Sequence, residues 1–170
     1  DAAVIEDVLN GREGVSIANY NCPGQIVITG EAAAVAEAGT ALKEAGARRV
    51  LPLKVSGPFH SPMMRPAGEE LAKVFAGVSM NPLKIPYVAN INAEVITDCG
   101  RIEGLLVEQV SGSVRWQQSV ETMIREGVDT FVEIGPGKTL TGFLRKIDKN
   151  VKAYHIGSWE EAVQVCEELK

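Results

Sequence analysis

Cysteine, histidine and aromatic residues are scarce in this 170-residue chain, and each shortage excludes something. The three cysteines, Cys22, Cys99 and Cys166, lie far apart with no CxxC or Cys/His clustering, so neither a disulfide framework nor a metal site is encoded. Reduced thiols are the expectation. Only His60 and His155 are available for proton transfer near neutrality. No apolar run approaches the roughly 20 residues of a membrane span, and no signal pattern opens the chain, which excludes a membrane partner and points to the cytoplasm. Charge of one sign is not concentrated either. Lys and Arg number 17 against 22 Asp and Glu, the net charge is −5 and the signs are interspersed, so no nucleic-acid surface is expected.

What is present is a globular composition, 45% hydrophobic and 23% charged, enough for one ordinary core or two small ones. The chain begins at Asp1, already in a helical pattern with Val4, Ile5, Val8 and Leu9 on one face, and so reads as a piece of something longer. A helix over 1–10 is followed by an alternating strand over 15–20, a four-residue connection over 21–24 and a return strand over 25–30. An Ala/Glu-rich helix over about 31–45, closed by Gly46, leads to a strand over 49–55. This order matches a ferredoxin-like layer that lacks its first strand, so residues 1–55 read as an incomplete ferredoxin-like small subdomain with an unpaired sheet edge. Residues 56–170 alternate differently. Strands over 87–91, 130–134 and 151–156 are interleaved with helices over 64–75, 103–110, 116–126, 139–147 and 159–169. That argues an α/β class with a parallel sheet covered on both faces.

The segment Val55-Ser56-Gly57-Pro58-Phe59-His60-Ser61-Pro62 places His60 in a rigid Gly/Pro turn. A positioned imidazole is a candidate general base or acid, although a loop histidine that only satisfies a hydrogen bond would look the same. Asn19, Asn21 and Gln25 gather amides around the hairpin turn, and Arg48-Arg49 adds guanidinium groups. Such a set suits an extended ligand bearing amides and phosphate, as it also suits a solvated loop. Gly135-Pro136-Gly137-Lys138 precedes a helix and invites comparison with a phosphate cradle. The Walker spacing is absent, so a tight strand-to-helix turn is the alternative. Cys22, before Pro23 and without a cationic neighbour in sequence, is expected to be inert. His155 is expected to be structural, and Glu160, Glu161, Glu167 and Glu168 to form a solvated helical face.

Four strings, in this order, carry a family resemblance: Asn19-Tyr20-Asn21-Cys22-Pro23-Gly24-Gln25, Ser56-Gly57-Pro58-Phe59-His60-Ser61, Ser113-Val114-Arg115-Trp116 with Gln109 upstream, and Phe131-Val132-Glu133-Ile134-Gly135-Pro136-Gly137-Lys138. Together they resemble the malonyl-CoA:acyl carrier protein transacylases. The resemblance implies an α/β-hydrolase-like acyltransferase domain, with 1–55 in the inserted small subdomain and 56–170 the C-terminal part of the large domain. It implies transfer of malonyl from malonyl-CoA to the phosphopantetheine thiol of acyl carrier protein through a Ser ester, with no metal and no cofactor beyond the CoA substrate.

On the same basis His60 is the general base and the backbone carbonyl of Gln109 orients it. Phe59 favours malonyl over a branched unit, while Asn21, Gln25 and Arg49 lie near pantetheine and phosphates. Arg48, Arg49, Lys54 and Arg65 are candidates for docking the acidic carrier protein. The nucleophile elbow, the malonyl-binding Arg and the oxyanion loop of the family are not in this sequence, and Ser113 stands where the family often has Pro. The expected partner is therefore the missing N-terminal half of the same enzyme, and the chain alone is expected to be inactive. Two alternatives stay open: an acyltransferase fragment of a polyketide synthase, and a non-catalytic module binding CoA or acyl carrier protein.

Overall fold

Alternating apolar residues and a Pro-Gly pair build the first sheet of the computed structural model, which describes residues 1–170. Helix α1 (Ala2–Leu9) starts where the Asp1 carboxylate accepts from the Ala3 amide, an N-cap that satisfies one orphan donor. Strands β1 (Val15–Cys22) and β2 (Gln25–Gly30) form an antiparallel hairpin. Its connection is shorter than the expected 21–24, because Cys22 already pairs with Gln25 and only Pro23-Gly24 turn the chain. Pro23 pre-sets its own φ and Gly24 takes φ +77°, so two residues suffice. Register shifts between Ile17 and Asn19 and between Tyr20 and Cys22 bulge β1, and they let neighbouring Ile17 and Ala18 both be buried. Helix α2 (Ala32–Glu44) covers the hairpin with Ala38, Gly39 and Leu42, and Gly46 at φ +94° turns the chain out of it.

Residues 49–55 do not form the expected strand. Their alternation is apolar, but no other strand of the chain lies alongside to make a ladder, and Pro52 has no N–H to give one. Leu51, Leu53 and Val55 are 70%, 59% and 64% exposed. The ferredoxin-like order read from the sequence therefore lacks its last strand as well as its first in the residues described.

A short 3₁₀ turn (Pro62–Met64) leads into α3 (Arg65–Phe75). The strand expected over 87–91 shrinks to β3 (Tyr87–Val88), paired antiparallel with β4 (Val95–Ile96), which sequence reading missed. The reversal is local: Ala93 adopts φ +59°, its amide donates to Ala89, and Ala89 donates to Glu94. Helices α4 (Ile102–Ser111) and α5 (Trp116–Arg125) come next, then β5 (Thr130–Ile134), α6 (Thr139–Ile147), β6 (Lys152–Ile156) and α7 (Trp159–Glu168). Only β5 and β6 are parallel, in register from Thr130↔Lys152 to Ile134↔Ile156. The broad parallel sheet expected over 56–170 is thus a single parallel pair, one of three two-stranded sheets in a mixed α/β chain.

The two parts meet at β1, whose free edge accepts Val114 in a parallel bridge opposite Asn19. Burial is thin, 19 of 170 residues, so large apolar side chains such as Ile134 (77% exposed) lie open. No helix is long and apolar enough to cross a membrane.

Gly30 shows how closely the hairpin is joined to its surroundings. It sits at φ +145°, and a Cβ there would overlap the Gly14 carbonyl, which accepts from the Glu31 amide at 2.8 Å. Gly30→Ala is expected to destabilise the chain by at least about 1–3 kcal/mol, read as a lowered urea midpoint at unchanged slope.

Candidate active site

His60 is held by the turn around it before any other element is involved. The Ser61 hydroxyl donates to Pro58 O at 2.6 Å, and the Met64 amide donates to Ser61 O at 2.9 Å. With Pro58 and Pro62 on either side, His60 is forced to φ +58°, a region few non-glycine residues occupy. Downstream, α3 approaches α4 through Gly68, where a Cβ would stand 3.1 Å from Val107 O. That close packing sets the start of α3, and with it His60, against the last turns of α4.

The imidazole Nδ1 of His60 lies 3.0 Å from the backbone oxygen of Gln109. A carbonyl only accepts, so the proton is on Nδ1, and the neutral ring keeps its lone pair on Nε2. Gln109 is in the final turn of α4, and the residue four positions on, Ser113, is outside the helix. Its carbonyl is one of those a helix end leaves free to accept from a side-chain donor. One group thus orients the ring and fixes its tautomer, a task that elsewhere falls to a carboxylate.

The side chain of Gln109 also has a task. Its amide Nε2 donates to Gly112 O at 2.9 Å and so closes the end of α4. It also stands 3.4 Å from His60 Nδ1, but with the proton on Nδ1 both groups are donors and no bond forms there. Gly112 is tightly enclosed: a Cβ would collide with Ile91 and lie 3.0 Å from Glu108 O. Beyond it, the Ser113 hydroxyl donates to Ile17 O at 2.6 Å, Val114 N to Ala18 O at 2.7 Å, and Tyr20 N to Val114 O at 2.9 Å. Strand β1 and the carbonyl that holds His60 are therefore in one hydrogen-bonded chain. The Arg115 guanidinium lies 5.6 Å from the Tyr20 ring centroid, and the Tyr20 hydroxyl donates to Glu6 at 2.8 Å. Burial, then the Glu6 hydrogen bond and charge, push the Tyr20 phenol up to about 12 against the opposing Arg115 charge.

Asn21 and Gln25 flank the hairpin turn as expected, and α6 brings them a neighbour that sequence reading missed: Lys146 Nζ donates to Gln25 Oε1 at 3.3 Å. Its only signal in the sequence is a basic pair, Arg145-Lys146, in the last turn of a helix. Arg48 and Arg49 are exposed, and Arg49 makes no hydrogen bond to Asn21 or Gln25. Phe59 is half exposed beside His60. The Cys22 thiol is buried, and burial raises its pKa against the pull of Lys146, which agrees with an inert thiol. No three His, Cys, Asp or Glu side chains gather as a metal-binding set.

At Gly135–Lys138 the structure favours the strand-to-helix turn over a phosphate cradle, because the start of α6 already holds an anion of the chain itself. Glu133 accepts from Leu140 N at 3.0 Å, Thr141 N at 2.7 Å and Thr141 Oγ1 at 2.6 Å. His155 is structural, as expected. Its Nε2 donates to Gly135 O at 2.9 Å and its Nδ1 faces Glu161 at 3.4 Å. Burial pushes the Glu133 carboxyl up, but the bonds from Thr141 and Leu140 outweigh it and hold the pKa below the usual 4.5. A depressed carboxylate stabilises the fold above its unfolded pKa and loses that contribution as pH falls through the folded one. Glu133→Ala should therefore lower the melting temperature at pH 7. The difference from wild type should shrink as the pH is taken below 4.5, which melting curves across pH would check.

Residues 1–165 match the acyl transferase domain family. The malonyl CoA-acyl carrier protein transacylase of Bacillus subtilis is 42% identical over 156 residues, covering 92% of this chain and 49% of that protein. The structure is similar to MCAT from Streptococcus pneumoniae, with a TM-score of 0.92 and 42% identity over 98% of this chain and 55% of that one. It is also similar to a malonyl-transacylase in complex with its type II polyketide acyl-carrier protein, with a TM-score of 0.89 and 37% identity over 98% of this chain and 53% of that one. The chain spans about half the length of these relatives. A match running over nearly every residue, in sequence and in fold, places the chain in the acyl transferase domain family.

Proposed function

We propose that these residues are the His-bearing part of a malonyl-CoA:acyl carrier protein transacylase, an enzyme of fatty acid biosynthesis. The observation that carries this reading is the His60–Gln109 bond, which leaves Nε2 as a base inside a family that transfers acyl groups. His60 Nε2 takes the proton of a Ser hydroxyl supplied by polypeptide outside this sequence, and the alkoxide attacks the malonyl thioester. Collapse breaks the C–S bond, and His60 returns the proton to the departing CoA sulfur. The phosphopantetheine thiol then gives its proton to Nε2 and attacks the ester, and the Ser is released reprotonated. Both half-reactions balance without a metal or redox cofactor.

The same reading assigns the other residues. Phe59, exposed beside His60, limits space next to the malonyl carbon. Asn21 and Gln25 face pantetheine amides, Arg49 and Lys146 the phosphates. Arg48, Arg49, Lys54 and Arg65 attract an acidic carrier protein. Residues 1–55 belong to a ferredoxin-like subdomain and 56–170 to a hydrolase-like large domain, completed by an N-terminal half. A cavity of about 350 Å³ between Trp116, Phe131, Ile134, Leu140 and Tyr154, open and partly apolar, fits a face that packs against further chain. The relative solved with a polyketide carrier favours one variation, a carrier from a polyketide system, for which the same chemistry serves.

In the intact enzyme, His60→Ala is expected to lower kcat for malonyl transfer by about 10²–10⁴-fold, the usual worth of a positioned acid–base group. Arg49→Ala should raise the KM for malonyl-CoA with little change in kcat, since it removes binding common to ground and transition states. Steady-state kinetics with malonyl-CoA and acyl carrier protein check both, and His60→Ala at wild-type rate would overturn the role of base. Intact-mass measurement of this chain after incubation with malonyl-CoA should show no adduct. An adduct would put the nucleophile within these residues, and CoA binding by calorimetry without transfer by the intact enzyme would favour a binding module.

A further inference from the structure

We infer that the Ser113 hydroxyl is a positioning group for His60, acting through the end of α4. The proposal rests on the reading of His60 as the proton carrier. The α4 carbonyl that holds His60 is set by the residues just past the helix, and that segment has no regular structure of its own. Gly112 is limited on one side by Ile91 and Glu108, and its carbonyl is tied back by Gln109 Nε2. On the other side the chain is fixed to β1 by three successive bonds. Two are main-chain, Val114 N to Ala18 O and Tyr20 N to Val114 O. The third, nearest to Gln109, is made by a side chain, Ser113 Oγ to Ile17 O at 2.6 Å.

Its position explains why it matters. Ile17 and Ala18 are buried and adjoin the bulge in β1, so their carbonyls project toward Ser113 and Val114 from a bent strand. The parallel bridge between Asn19 and Val114 stops there, and no further backbone pair extends it toward α4. The hydroxyl adds one more rung by supplying a donor that the main chain does not. With that rung, Gly112 has little freedom between β1 and Gln109. Without it, the segment pivots at Val114, and the Gln109 carbonyl moves relative to Nδ1. The Ser113 hydroxyl bonds to Ile17 O and not to the imidazole, so its effect is on the geometry and lifetime of the Nδ1–H bond.

The test compares Ser113→Ala, Ser113→Thr and Ser113→Val in the intact enzyme. Thr keeps the hydroxyl, and Val has the same shape without it. Nitrogen-15 NMR of the His60 ring reports which nitrogen carries the proton and how fast the Nδ1–H exchanges. Loss of this partly buried hydrogen bond predicts about fivefold faster exchange of Nδ1–H and of the Val114 amide, and a similar drop in kcat at unchanged KM, in the Ala and Val variants. Thr should restore both.

Either Ala or Val, folded and with wild-type ring exchange, would overturn the proposal. So would rapid exchange of the Val114 amide in the wild-type enzyme, a measurement that needs no variant. A wild-type enzyme with the Nδ1–H signal but no malonyl transfer would instead sink the proposed function, and ring exchange in the variants would then decide the positioning of His60 by Ser113 alone. Transfer unaffected by the loss of the hydroxyl would sink this inference and leave the proposed function intact.

Discussion

A single free carbonyl at the end of α4 governs the site. Its value comes from a general property of helices: the last turn leaves acceptors without partners, and a donor placed there satisfies one. His60 is that donor. Because the acceptor is main-chain, its position depends on where α4 ends and how the chain leaves it. That is why Gly68, Gly112 and Ser113, none of which touches the imidazole, belong to the same arrangement.

A second helix end shows the same physics with the opposite sign. The start of α6 attracts negative charge, and Glu133 on β5 occupies it with a carboxylate from the chain itself. His155 then ties the intervening Gly135 turn to β6, with Glu161 of α7 on its other nitrogen. The Glu133 carboxylate is therefore satisfied within the chain at this helix start. The first turn of a helix draws an anion to its free amides, and here Glu133 takes those of Leu140 and Thr141.

Much of the secondary structure was legible because it rests on local pattern. The helices over 2–9, 32–44 and 139–147 and the hairpin strands arise from apolar periodicity, Gly stops and a Pro-Gly turn. Residues 49–55 were misread for the opposite reason: alternation describes a strand's faces, whereas the strand exists only if another lies beside it, and none does. Strand β4 was missed because it has only two residues, too few for a period to register. At the site, His60 and the amides of Asn21 and Gln25 stood out by residue type and neighbouring turns. Lys146 did not, since what brings it to Gln25 is the packing of α6, 121 residues away in sequence.

The sequence by itself determined the residue inventory: one histidine in a Pro-bounded turn, no clustered metal ligands, and ordered strings that resemble one acyltransferase family. Those are covalent facts, and local chain stiffness carries them into the fold. Only the tertiary structure decided which proton His60 carries and what holds it. That depends on a carbonyl 49 residues away, and the direction of a carbonyl is set by where a helix stops and what packs around its end. It also decided that Glu133 occupies the start of α6 and that Ser113 meets Ile17 across 96 residues. Hydrogen bonds of this kind are directional and short, so they exist only once distant segments are fixed together, and no spacing along the chain announces them.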